Sequence, residues 1–213
     1  MNDFEKWGEG LRVERTMRAL ERNNFGVRFV PAAADAAGEI LSMIPDGAVV
    51  GVGGSLTLGE IGFFDGAAKR AITLLNPSTQ HMTPEEFIEM RRRILLADFF
   101  LSSSNAVTED GQLYNVDGTG NRVAAMTFGP KKVVLACGTN KIVKDVDAAR
   151  QRVREWAGPL NARRLNLDTP CAKTGVCVDC SSPQRICNIQ SLISKRPTRT
   201  EITVVLIGER LGL

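Results

Sequence analysis

Short apolar runs of buried-strand character alternate along this chain with amphipathic helical patterns. That alternation is the signature of an α/β fold built on a mainly parallel sheet. Residues 48–52, 132–137 and 201–207 are the clearest runs, with further strand candidates at 25–30, 71–75 and 99–101. Phe4, Trp7 and Leu11, followed by Val13, Met17 and Leu20, recur at helical spacing and predict an N-terminal amphipathic helix that ends near Asn23. Residues 32–44 predict a second helix, stopped by the turn sequence Pro45, Asp46, Gly47. Thr83, Pro84 and Glu86 supply a capping box with Pro at the first helical position, so a third helix starts there with Phe87, Met90 and Ile94 on one face. Asp145 caps a fourth, with Val146, Ala149, Val153 and Trp156 inward and Gly158-Pro159 as its stop.

The 213 residues, 43% hydrophobic, are enough for one substantial core, and a single domain over residues 1–213 is expected. No run approaches the roughly 18 apolar residues of a membrane helix, and the first residues lack the basic-then-apolar layout of a signal peptide. The expectation is a cytoplasmic protein without membrane insertion, its cysteines held as thiols. Charge is unevenly spread: residues 1–140 hold 14 Lys and Arg against 17 Asp and Glu, whereas residues 141–200 hold 12 against 5. The basic last third suits an anion, and the near absence of aromatic residues there argues against nucleic acid.

Three constellations carry chemistry. In the first, the strand at 49–52 runs into Gly53, Gly54, Ser55 and Thr57 at a helix start, where exposed amides and hydroxyls suit a phosphate or carboxylate. The spacing is neither G-x-G-x-x-G nor a P-loop, and a tight turn with Ser55 as N-cap is the alternative. The second spans 102–122, polar throughout and read as solvent-facing rather than core. Asp110-Gly111 marks a hairpin, while Asn105, Asn121 and Arg122 suit an anionic or polyhydroxy ligand, with Glu109 and Asp117 as acid–base candidates.

The third is Cys171-x5-Cys177-x2-Cys180-x6-Cys187, inside a Gly- and Pro-containing excursion at 169–188. Four thiolates so spaced form a compact cage for a soft metal or cluster, either [4Fe-4S] or Zn2+, the cluster being preferred. Lys173 and Arg185 would offset their charge. Cys137 ends an apolar strand and is expected to be packed apart from the other four. His81 is the only histidine, which removes His-dependent triads and His-rich zinc sites from consideration and leaves a surface-loop residue.

The blocks GVGGSLT at 51–57, SSSNAVTEDGQL at 102–113, DGTGNRVAA at 117–125 and VVLACGTNKIV at 133–143, with Glu60 between glycines, resemble the lactate-utilisation (LUD) domain family over essentially the whole chain. The resemblance implies a fold similar to the ribose-phosphate isomerase and CoA transferase group, whose members bind phosphate or acyl ligands at corresponding glycine loops. It also implies an accessory or redox-linked role in oxidation of lactate or a related organic acid, with an iron-sulfur redox partner protein. The C-x2-C-x2-C-x3-C-P runs of the larger family member are absent, so the chain is similar to stand-alone members with a short cysteine tail. Two other functions stay open: an enzyme on a sugar phosphate or acyl substrate using Glu109 or Asp117, and a zinc-stabilised binding module.

Overall fold

The computed structural model describes residues 2–78 and 82–213, so His81 lies outside the described residues. Among the described residues ten strands emerge in chain order: β1 (Gly26–Val30), β2 (Val49–Val52), β3 (Thr73–Leu75), β4 (Phe99–Ser102), β5 (Ala106–Thr108), β6 (Leu113–Asp117), β7 (Lys132–Gly138), β8 (Ile142–Val143), β9 (Ile189–Ile193) and β10 (Glu201–Ile207). The helices are α1 (Asp3–Arg22), α2 (Ala33–Ser42), α3 (Leu56–Glu60), α4 (Phe63–Ala67), α5 (Pro84–Ile94), α6 (Asn121–Thr127), α7 (Val146–Arg152), α8 (Gly158–Arg164) and α9 (Pro170–Thr174). Six strands pair in the order β1-β10-β7-β4-β2-β3, every pairing parallel. A smaller sheet, β8-β5-β6-β9, contains the antiparallel pairings. The chain is therefore a single α/β domain whose main sheet is parallel.

The main sheet is apolar on both faces, as its uninterrupted runs require. Val133, Leu135 and Cys137 of β7 join Ile202, Val204 and Leu206 of β10 on the side covered by α1 and α5, while Val134, Ala136, Val205 and Ile207 face α2, α3 and α4. β10 follows the cysteine segment in sequence yet inserts between β1 and β7, so the segment is an excursion that the chain leaves and re-enters at the sheet.

Three expectations are corrected. Phe4, Trp7 and Leu11 are 85%, 69% and 36% exposed, and α1 buries Val13, Thr16, Ala19 and Leu20 instead, because only its C-terminal half lies over the sheet. Gly158-Pro159 does not end a helix at 157. The backbone widens into a π turn at Val153–Ala157, in which the Gly158 N–H donates to the Val153 carbonyl, and Pro159 then starts α8, where its missing N–H breaks no hydrogen bond; Trp156 is left 55% exposed. The polar stretch 102–122 is largely core: Ser102, Ser103, Ser104, Thr108, Asn115 and Asp117 are buried on β4, β5 and β6 or between them. Their burial is tolerable because their polar atoms are mostly hydrogen-bonded inside the protein.

Candidate functional site

Arg122 organises that buried polar stretch from the first turn of α6. Its Nη1 donates to the Ser103 carbonyl at 3.0 Å and to Asn115 Oδ1 at 2.7 Å, and its Nη2 to Asn105 Oδ1 and the Val116 carbonyl, both at 2.8 Å. Nε lies 3.7 Å from the buried Asp117 carboxylate. Burial pushes the guanidinium down, while Asp117 and Cys137 hold it up. Asp117 Oδ1 also accepts the Thr119 and Gly120 N–H groups at 3.1 and 2.9 Å, which fixes the turn into α6. With four N–H groups engaged by protein oxygens and Nε facing Asp117, Arg122 faces inward as the knot of this network. Asn121 is half-buried beside it as the first residue of α6.

Glu109 stands apart from this group. Its carboxylate lies 2.7 Å from Arg12 Nε and 3.6 Å from an Arg15 nitrogen, tying the β5–β6 hairpin to α1. Gly111, at φ 83°, brings the hairpin against the same helix so closely that a Cβ would fall 2.4 Å from the Ala19 carbonyl carbon. Replacing Glu109 by Gln should lower stability by less than about 1 kcal/mol, as for a half-exposed ion pair; chemical unfolding of the two proteins side by side measures it.

The glycine loop after β2 is positioned by the sheet. The Gly53 N–H donates to the Leu101 carbonyl at 2.9 Å, and Ser55 caps α3 by accepting the Leu58 N–H at 3.3 Å. Gly54 faces open space. Thr57 points inward, where its hydroxyl accepts a hydrogen bond from Lys141 Nζ at 3.1 Å. Lys141 also donates to Ser103 Oγ at 2.8 Å, and Ser103 Oγ is 3.8 Å from Cys137 Sγ. Lys141 is 3% exposed, and burial pushes its pKa down to about 8. Sequence reasoning passed over Lys141: a lysine in a Gly-Thr-Asn-Lys turn carries no local sign of burial.

The four remaining cysteines share a cavity of about 220 Å3. Thr169 caps α9 by accepting the Ala172 N–H, which sets Cys171 in its first turn. Residues 176–188, without a helix or strand, are held by side chains. Ser182 Oγ donates to the Asp168 carbonyl at 2.7 Å, and Arg185 Nη1 donates to the Cys180 carbonyl at 2.6 Å while pairing with Asp179 at 2.8 Å. All five cysteines are free thiols, and Cys137, fully buried in the core, lies outside this cavity. Burial pushes the Cys187 thiol up; Arg185 pulls it down, and Cys177, Cys180 and Cys171 each push it up, so these three lie within electrostatic reach of Cys187. Among the described residues no three His, Cys, Asp or Glu side chains stand close enough to grip one ion directly.

Across the cavity from the thiols stand Arg150, Arg154 and the π turn's Val153 and Ala157. Lys173, read from the sequence as a charge partner for the thiolates, pairs with Asp168 instead. Arg150 and Arg154 were missed because charge balance was sought among sequence neighbours, whereas α7 and the π turn fold back onto the segment. π turns recur at functional sites because the widened ladder re-aims side chains.

The LUD domain family profile matches residues 13–207. Among solved structures, a DUF162 family protein from Deinococcus radiodurans aligns over 93% of this chain and 98% of its own, with 12% identity and a TM-score of 0.53. Ribose 5 phosphate isomerase A from Neisseria gonorrhoeae aligns over 61% of this chain and 64% of its own at 15% identity and a TM-score of 0.35. eIF2B delta from Chaetomium thermophilum aligns over 54% and 49% respectively at 18% identity, also with a TM-score of 0.35. No curated protein matches the chain. Among the described residues no helix is long and apolar enough to cross a membrane.

Proposed function

The chain belongs to the LUD domain family, which is associated with lactate utilisation, and from that premise we propose that it is a redox-linked component of small organic-acid oxidation, carrying one metal centre on Cys171, Cys177, Cys180 and Cys187. The observation that carries the reading is that all four thiols of the excursion border a single cavity, with three arginines, Arg150, Arg154 and Arg185, on its walls. A [4Fe-4S] cluster held there would supply a one-electron couple. A single zinc ion would need four sulfurs about 2.3 Å from one point, and among the described residues no three of these side chains stand that close, so the wider cluster is preferred.

The chain's own residues do the rest. Cys171 is delivered by a capped helix turn, and Cys180 and Cys187 by carbonyls tied to Arg185, at 2.6 and 3.3 Å. The Arg185 guanidinium works against the burial that pushes the Cys187 thiol up.

The test is metal analysis of the full chain purified under nitrogen. A broad absorption near about 400 nm with matching iron and sulfide is expected. Cys177→Ser should abolish both, and Cys137→Ser should retain them. Colourless protein with one zinc per chain would remove the redox role, and equal metal loss in the two variants would overturn the four-ligand assignment.

A further inference from the structure

Lys141 is reached from β7 through a single 3-10 turn, Thr139–Lys141, and lies at the carboxyl ends of the central strands β4 and β7, where open parallel sheets place their ligands. Its ammonium has three donors; two go to Ser103 and Thr57 hydroxyls, and the third has no acceptor among the described residues. No carboxylate among the described residues forms an ion pair with it. Glu60, within electrostatic reach, spends its carboxylate on the Gly212 N–H at 2.6 Å, and the neighbouring Arg122 and Arg152 add positive charge. A buried ammonium without a counter-charge is expensive unless an anion completes it.

One further observation points the same way. The Thr57 hydroxyl accepts from Lys141, so its own proton is free to donate to a ligand. The space beside the ammonium is taken by Gly212. Leu211 N–H donates to Asn140 Oδ1 at 3.0 Å, and a Cβ on Gly212 would fall 2.5 Å from Thr57 Oγ1 and 2.9 Å from Lys141 Nζ.

We propose that Lys141 and Thr57 bind the oxyanion of a small ligand, a carboxylate or phosphate, with the Ser103 hydroxyl holding the ammonium in place, and that Gly212 covers this site and moves aside to admit it. One point charge and one hydroxyl recognise either anion, and Arg122, the fork-shaped donor on the Ser103 carbonyl, is already saturated. The site is independent of the cysteine centre, although Asn105 adjoins both: it borders the cysteine cavity and accepts from Arg122.

The test titrates the full chain at pH 7 with lactate and, separately, with inorganic phosphate, followed by calorimetry and thermal unfolding against a chloride control of equal ionic strength. Either anion at tenfold its Kd should lower the unfolding constant by about tenfold. Binding by lactate alone identifies a carboxylate ligand, and binding by phosphate alone a phosphorylated one. Lys141→Met should abolish the response; Thr57→Val, which preserves side-chain shape, should weaken it by about tenfold and carries the test if the first variant does not fold. Cys177→Ser should leave it intact, which separates this site from the metal centre. Affinity should also fall above about pH 8. Cys137, Glu60, Arg122 and Arg152 are the other charged or titratable groups facing Lys141, so the pH series is repeated on Cys137→Ser. Unchanged affinity in both Lys141→Met and Thr57→Val, or no response to either anion, would overturn the proposal.

Discussion

Replacing Arg122 by Met should destabilise the protein by about 3–5 kcal/mol, the range for removing one partner from a buried charged network. Methionine fills much of the same space, so the loss is electrostatic rather than a cavity effect. It removes the guanidinium donors from the Ser103 and Val116 carbonyls and leaves the Asn105 and Asn115 side-chain oxygens with one backbone N–H each, while Asp117, 8% exposed, loses its 3.7 Å ion-pair partner and keeps only Arg91 within electrostatic reach. Arg122→Lys should recover only part of the loss, because one ammonium cannot reproduce a fork that serves β6 and the β4–β5 connection at once. Asp117→Asn should cost less than Arg122→Met, since an amide oxygen still accepts the Thr119 and Gly120 N–H groups. Urea unfolding with a constant slope is the measurement. A loss under about 1 kcal/mol for Arg122→Met would show that these strands hold their geometry without the guanidinium.

The second large effect is a pH dependence. Lys141 has its pKa lowered from 10.5 to about 8 by burial. Below about pH 8 the side chain is protonated in both folded and unfolded chains, and the folded state carries the whole burden of the buried charge. Between about pH 8 and 10.5 the unfolded chain binds the extra proton and the folded one does not, so stability contributed at this site rises with pH. A displacement of that size corresponds to about 3 kcal/mol. Other groups titrate in the same window, so the quantity to measure is wild-type stability minus that of Lys141→Met. This difference should climb by about 3 kcal/mol from pH 7.5 to 10.5. A flat difference would mean that Lys141 is solvated in the folded chain. Oxyanion kept saturating through the whole pH series should flatten it too, because a bound counter-charge raises the ammonium's pKa again.

How far the fold could be read without coordinates depended on whether the information was local. The β7 and β10 runs are apolar at every buried position because both faces of a parallel strand are covered, and that pattern shows in consecutive residues. The capping box at Thr83 and Glu86 and the turn at Asp110-Gly111 involve partners within four residues, and both form as expected. The four-cysteine spacing likewise identified the segment that comes to border one cavity.

Tertiary structure decided which polar residues are buried and which apolar ones are not. Ser103 and Asn115 look solvent-facing until Lys141 is seen on the Ser103 hydroxyl and Arg122 on the Asn115 side-chain oxygen, and Glu109 looks like a free acid until Arg12, 97 residues away, is placed beside it. Lys141 meets Thr57 across 84 residues and Ser103 across 38. The same holds for Phe4 and Trp7, whose helical spacing promises a buried face although α1 overhangs the sheet. Periodicity reports which residues share a face; what covers that face, or which charge stands opposite a buried donor, depends on contacts between segments distant in the chain, and a single sequence carries no local record of them.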